Sequence, residues 1–248
     1  MKIQSGFYTL LFFISLSCQH HKLITDKEAF TVYENSINDS FLIKIDTYRH
    51  TKKTDFDRIV FYFDANLKSG KQIREFFNDP FDSNTLLVGI AHLGNYREKR
   101  RRDFMNDDTK IGVLLDSIII PQIKDEYGWG NQRIIIGHSL AGLWVYQNFM
   151  NGDTTFTTSI AISPSLWYKR QYEKSFDSSK VNTSNSMLYI YWGGKERLNY
   201  VRSACRALRI SVFTKLTLSH RIMFKEIKGK GHNSTVKQAL RYSFVYSQ

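Results

Sequence analysis

Cysteine and proline are scarce in this chain. Of 248 residues, two are cysteines, Cys18 and Cys205, and three are prolines. Two cysteines allow one intramolecular bridge at most, so a disulfide-stapled scaffold is excluded. Cys205 lies in an amphipathic helical stretch and reads as a small buried hydrophobe. No Pro/Ser-rich linker and no internal repeat divides the chain. The apolar run from Phe7 to Leu16 is too short to span a bilayer comfortably. Acidic residues are also in deficit, 23 Asp and Glu against 35 Lys and Arg, for a formal net charge of +12. The excess is scattered except for one cluster, Arg97-Glu-Lys-Arg-Arg-Arg102. No nucleic-acid-binding module accompanies it, so no nucleic-acid partner is expected; the cluster reads as a solvated face or a site for anionic ligands.

What is present begins with a leader. Lys2 supplies a positive charge, Phe7 to Leu16 an apolar segment, and Ser17-Cys18 a small residue before a cysteine. Residues 1–18 are expected to be a signal peptide of lipoprotein type. Cys18 would then be the lipidated N-terminus, holding an exported protein to a membrane. Residues 19–40 are polar and patternless, and are expected to be a tether and N-terminal segment. Residues 41–248 are long enough for one α/β domain with a sizeable core.

Within that domain short apolar runs alternate with helical patterns. Phe41–Ile45, Ile59–Phe63, Thr85–Ala91, Ile134–Ile136, Thr157–Ser163, Met187–Trp192 and Arg221–Glu226 read as strands. Continuous apolar runs such as Ile59-Val-Phe-Tyr-Phe63 suit central strands covered on both faces. Gly70–Phe77, Ile111–Tyr127 with a kink or turn at Pro121, Tyr200–Leu216 and the C-terminal segment read as helices. His92–Asp108, which carries the basic cluster, reads as a polar loop. Such alternation predicts a mostly parallel central sheet with helices on both faces.

One stretch carries chemistry. Arg133-Ile-Ile-Ile-Gly-His-Ser-Leu-Ala-Gly-Leu-Trp144 runs from strand residues through a tight turn into an apolar helix. Small residues on both sides of Ser139 allow a strand and a helix to approach closely enough to leave the hydroxyl at the tip of a strained turn, the nucleophile elbow. Ala141 stands where glycine is usual, with Gly142 behind it. A serine hydroxyl needs a base within hydrogen-bond reach and donors for the oxyanion. In sheets of this kind acid and histidine follow the serine, in that order, after later strands. His232 follows the last strand in a Gly-rich loop and fits the base. Glu196, in Gly193-Gly-Lys-Glu196, fits the acid, with Asp177 and Asp153 as weaker candidates. The backbone N–H of Leu140 and an N–H at Ala65 or Asn66 are the expected oxyanion donors.

These segments together resemble the esterase family of α/β-hydrolases that includes esterase D-like enzymes and periplasmic enterobactin-type siderophore esterases. The resemblance runs from about residue 40 to 247. It rests on Ile59–Asp64, on Val88–Ala91 followed by Arg102-Asp-Phe104, on Pro121–Tyr127, and on the elbow. Ala161-Ile-Ser-Pro-Ser-Leu-Trp167, Gly193–Glu196 and Gly231-His232 complete it. Ala65 stands where the family has glycine. The resemblance implies an α/β-hydrolase fold and hydrolysis of a small-molecule carboxylic ester through an acyl-enzyme, with no metal and no organic cofactor. Ferric catecholate siderophores are anionic, so Arg102 of the basic cluster is a candidate for substrate binding, and Trp167 a candidate pocket wall. A carbohydrate esterase acting on feruloyl or acetyl groups, an acyltransferase and a non-catalytic binding lipoprotein are the other readings.

Overall fold

The computed structural model describes residues 21–25, 28–35, 39–46, 56–77, 84–92, 94–105, 110–168, 170, 185–214 and 220–245. The leader, with Cys18, and the acid candidate Asp177 lie outside the described residues.

The described strands form one nine-stranded sheet. In chain order they are β1 (His21–Thr25), β2 (Glu28–Asn35), β3 (Asp39–Asp46), β4 (Arg58–Phe63), β5 (Thr85–His92), β6 (Gln132–His138), β7 (Thr158–Ile162), β8 (Met187–Gly193) and β9 (Ile222–Ile227). Their order across the sheet is β1-β2-β3-β5-β4-β6-β7-β8-β9. β5, β4, β6, β7, β8 and β9 run parallel to one another, whereas β1, β2 and β3 form an antiparallel extension that joins the sheet along β5. Paired strands therefore begin at His21, well before residue 41 where the sequence pattern becomes clear. Antiparallel neighbours need only a short turn between them, so they form without the long apolar runs that mark the buried strands.

The central strands pack both faces, and the two-residue period of a strand sorts their side chains. Ile59, Phe61 and Phe63 join Leu86, Val88, Ile90 and Phe104 in one core layer. Val60, Tyr62 and Leu87 join Ile73, Phe77, Val236 and Leu240 in the other. The first layer is closed by α5 (Leu140–Met150), whose Leu143, Trp144, Val145 and Tyr146 are buried, and by α6 (Ser203–Thr214) with Cys205 and Leu208. The second is closed by α1 (Lys68–Phe77) and α7 (Thr235–Phe244). Helices on both faces of a mostly parallel sheet match the expected architecture.

One local expectation needs correction. The basic cluster lies on a helix, α2 (Tyr96–Met105), and not in a loop. Straight-chain Arg, Lys and Glu are good helix formers, and Asp103 and Phe104 are buried and anchor it. The helix is interrupted just before Pro121, where a kink or turn is expected. α3 (Lys110–Leu114) and α4 (Ile120–Tyr127) are joined by a π-helical turn at Leu115–Ile119, just before the proline. A widened turn relieves the clash between the proline ring and the preceding carbonyls.

Candidate active site

Parallel strands bring their C-terminal ends to one edge, and the register aligns those ends. His138 pairs with Ile162, Ile162 with Tyr191, and Gly193 with Ile227. Ser139, Ser163, Glu196 and His232 come from segments that follow these strand ends. The residues directly after β4, β6 and β7 all have positive φ: Asp64 at 60°, Ser139 at 62° and Ser163 at 46°. None is glycine, so this edge of the sheet stores backbone strain of the kind that clusters at functional sites.

Ser139 occupies the elbow with φ 62° and ψ −117°. Its N–H donates to the Ile162 carbonyl at 2.9 Å, and its carbonyl accepts from the N–H groups of Leu143 at 3.0 Å and Ser165 at 3.1 Å. A Cβ on Gly137 would lie 2.3 Å from the Ala141 carbonyl oxygen, so glycine is obligatory there. The methyl of Ala141 fits in the fully buried turn, so the position two after the serine does not require glycine here.

Glu196 is buried, and three donors converge on it. Its Oε1 accepts the Ser163 hydroxyl and the Gly193 N–H, each at 2.6 Å. Its Oε2 lies 2.9 Å from His232 Nδ1. Burial pushes the carboxyl up, but the hydrogen bonds from His232, Ser163 and Gly193 outweigh it and hold the group below the usual glutamate range. An ionised Glu196 can only accept, so His232 carries its proton on Nδ1 and presents a lone pair on Nε2. The loops carrying these two residues meet at Gly193, where a Cβ would lie 2.3 Å from the Lys230 carbonyl oxygen. Gly194 N–H to Ile227 O and Lys195 N–H to Lys230 O, both 2.9 Å, stitch them together.

The structure thus brings Ser139, His232 and Glu196 to one edge of the sheet, with His232 against the elbow. The carbonyl of His232 accepts from His138 Nε2 at 3.0 Å, and the two imidazole rings lie 4.5 Å apart. No hydrogen bond between Ser139 and His232 is present among the described residues. The Ser139 Oγ stands 3.4 Å from Ser165 Oγ instead. Such contacts are often long without substrate.

Of the expected oxyanion donors, Leu140 opens α5, where its N–H has no acceptor within the helix. Ala65 N–H donates to the Ile90 carbonyl at 3.2 Å and is committed to the sheet. Asn66, the other candidate on that side, has its side chain tied to the His92 carbonyl at 3.2 Å.

The arginines of α2 face inward more than expected. Arg100 holds buried Asp64 through two hydrogen bonds. Arg102 holds buried Asp103 through Nε at 2.6 Å and Nη2 at 2.8 Å, so that fork is not open to a substrate carboxylate or catecholate. Asp103 also accepts from His92 Nε2 at 2.9 Å. Trp167, by contrast, is 40% exposed and makes an edge-to-face contact with Tyr200, itself 48% exposed, at 5.7 Å. Asp153 accepts from Asn148 and Thr155 in the turn at the far end of α5 and is not near His232.

Sequence reasoning assigned no role to Ser163, Ser165, His138 or Tyr200. A polar residue ending an apolar strand was a usable signal for Ser163. Nothing local marked the others, because their partners are distant in sequence.

No family model matches this chain, and no curated protein does. Solved structures do. It is similar to the BES protein of Bacillus cereus, at 16% identity and a TM-score of 0.71 over 90% of this chain and 95% of that one. It is similar to siderophore hydrolase EstA of Aspergillus nidulans, at 15% identity and a TM-score of 0.66 over 89% and 94%. An IroE-like serine hydrolase of Shewanella oneidensis matches at 16% identity and a TM-score of 0.66 over 87% and 78%. Identities this low speak to architecture, and the architecture is the α/β-hydrolase fold.

Proposed function

We propose that this chain is a serine esterase that cleaves carboxylic esters through an acyl-enzyme at Ser139. The observation that carries the reading is the 2.9 Å contact between the Glu196 carboxylate and His232 Nδ1, set beside a serine with elbow dihedrals. It leaves the lone pair of His232 on Nε2, on a ring that lies beside the elbow.

In the first half-reaction the Ser139 hydroxyl turns from Ser165 toward His232. Its Oγ bonds to the ester carbonyl carbon while Nε2 takes its proton. The oxyanion that forms is met by the N–H groups of Leu140 and Asn66. Leu140 stands at a helix N-terminus, which adds favourable potential for negative charge. Collapse breaks the bond to the leaving alcohol, which takes the proton from Nε2. Water then repeats the sequence on the acyl-enzyme, releasing the acid and restoring Ser139. Glu196 remains ionised and stabilises the imidazolium that forms in each half.

Trp167 and Tyr200 supply an exposed aromatic wall on the segments that follow Ser165 and Glu196, and we assign it to substrate contact. Siderophore esters are the leading substrate class, supported by the solved siderophore hydrolase of this fold and by the sequence resemblance. Export and lipidation at Cys18 belong to the same reading, on the strength of the apolar leader. Incorporation of labelled palmitate that disappears in Cys18→Ser would support the anchor, and unchanged incorporation would remove it.

The test of the activity is release of p-nitrophenol from a short-chain p-nitrophenyl ester. Wild type should hydrolyse it and Ser139→Ala should not. Product analysis on ferric siderophores, feruloylated sugars and acetylated glycans then separates the substrate classes. Absence of hydrolysis in wild type across the panel would favour a binding protein on this fold.

A further inference from the structure

His138 ends β6 and directly precedes Ser139, and the proposed chemistry makes no use of it. It is buried at 6% exposure. Its Nε2 lies 3.0 Å from the main-chain oxygen of His232, which can only accept, so His138 must donate. The ring therefore carries its proton on Nε2. Its centroid is 4.5 Å from that of His232, with the planes inclined at 46°.

The histidine loop is tied to the Glu196 loop through Gly194 N–H to Ile227 O and Lys195 N–H to Lys230 O, both on the side of β8 and β9. Gly231 N–H bonds the Ser234 hydroxyl at 2.9 Å, and Thr235 Oγ1 donates to the Gly231 carbonyl at 2.7 Å, both within the loop and the helix it enters. Glu196 holds the ring of His232 at Nδ1. These contacts set His232 against the Glu196 loop, not against the elbow. His138 supplies the link between the main chain of His232 and the strand that bears the serine.

We propose that His138 is a positioning residue, a neutral hydrogen-bond donor from the elbow that fixes the distance of His232 from Ser139. The proposal rests on the reading of Ser139 and His232 as nucleophile and base. Neutrality is part of the device. Charged at 4.5 Å, His138 would oppose proton uptake by His232. The charged and titratable groups that act on it are His232, Glu196 and Arg100, and burial together with His232 draws its pKa down to about 3. It therefore stays a neutral donor at neutral pH.

Three variants test this. His138→Gln keeps an N–H donor at comparable reach, His138→Asn is too short to reach the His232 carbonyl, and His138→Leu removes the donor and keeps apolar volume. The readouts are kcat and KM on a p-nitrophenyl ester, thermal midpoint, and the low-field proton NMR signal of the His232 Nδ1–H bonded to Glu196. Leu and Asn should lower kcat about tenfold to a hundredfold, as a misplaced catalytic group does, with KM within about twofold. Gln should restore kcat to within about threefold of wild type and retain the low-field signal, which Leu and Asn should weaken. Equal loss in all three, in proportion to their thermal midpoints, would overturn the proposal in favour of simple packing, as would full kcat in Leu or Asn. The NMR signal reports positioning without turnover. If wild type shows no ester hydrolysis, the esterase reading fails by itself, while a signal lost in Leu and Asn but kept in Gln would still locate His138 as the anchor of His232. A signal unchanged in all three would overturn it.

Discussion

Arg100 grips Asp64 in a fork, Nε to Oδ1 at 2.6 Å and Nη2 to Oδ2 at 2.7 Å. Asp64 directly follows β4, with φ 60°, and leads into the turn that carries Asn66. Burial pushes its carboxyl up against the opposing pull of Arg100, so the pair is one in which removing either partner leaves the other poorly placed. Breaking a buried pair of this kind costs about 3–5 kcal/mol. Arg100→Ala should therefore lower stability strongly, and Asp64→Asn in the same chain should recover part of the loss, measured by urea unfolding. KM for anionic and neutral esters should change alike. A rise confined to the anionic ester would show that Arg100 meets the substrate.

Glu196 gives a pH dependence with a definite sign. Its folded pKa lies below the ordinary value of 4.5, so it contributes stability that is fully present above that value and lost as the pH falls through the depressed folded value. Glu196→Gln keeps an oxygen acceptor for Ser163 and Gly193 but cannot titrate. Stability of the wild type should fall more steeply than that of the variant on acidification below pH 4.5. Asp103, Glu75 and Glu226 are held low in both proteins and cancel in the comparison. At neutral pH the variant should lose about 10²–10⁴ in kcat, because a neutral amide neither fixes the tautomer nor supports the imidazolium. Parallel acid unfolding curves would contradict this account of Glu196.

Ser163 donates to Glu196 at 2.6 Å while fully buried at φ 46°. Ser163→Ala removes one of the two donors on Oε1 and should cost about 1–3 kcal/mol. It should also lower kcat with little change in KM, since Glu196 touches His232 and not the substrate. Steady-state kinetics on a neutral ester check this. An unchanged kcat would leave Ser163 a purely structural residue.

Gly137 and Gly193 are predicted to be intolerant of alanine. Each added Cβ would lie 2.3 Å from a backbone oxygen, that of Ala141 or Lys230 respectively. Backbone must shift in both cases, at a cost of about 1–3 kcal/mol or more. Thermal midpoints should fall in both, and Gly193→Ala should also weaken the His232–Glu196 contact by pushing their loops apart. A midpoint unchanged in either variant would contradict the close approach.

The parts legible in the sequence were those governed by local rules. An apolar run such as Ile59–Phe63 announces a strand covered on both faces, and small residues around Ser139 announce a close strand–helix turn. Chain order then selected Glu196 and His232, which the structure sets 2.9 Å apart. The parts that were not legible depend on contacts across the fold. Ser163 and His138 act on residues 33 and 94 positions away, and no spacing rule connects them. The antiparallel strands β1 and β2 lack the long apolar runs that betray a buried strand. The charge on α2 pointed toward solvent in the sequence, whereas Arg100 and Arg102 turn to buried carboxylates on and beside that helix. Charge counts do not reveal which arginines have partners.

The central claim is that Ser139 forms a covalent acyl intermediate with the help of His232. It is tested most directly by mass spectrometry of protein acid-quenched during turnover of a p-nitrophenyl ester. The account predicts one acyl group on the peptide containing Ser139, absent in Ser139→Ala and slow to form in His232→Ala. An acyl group on another residue, or turnover that persists in Ser139→Ala, would contradict it.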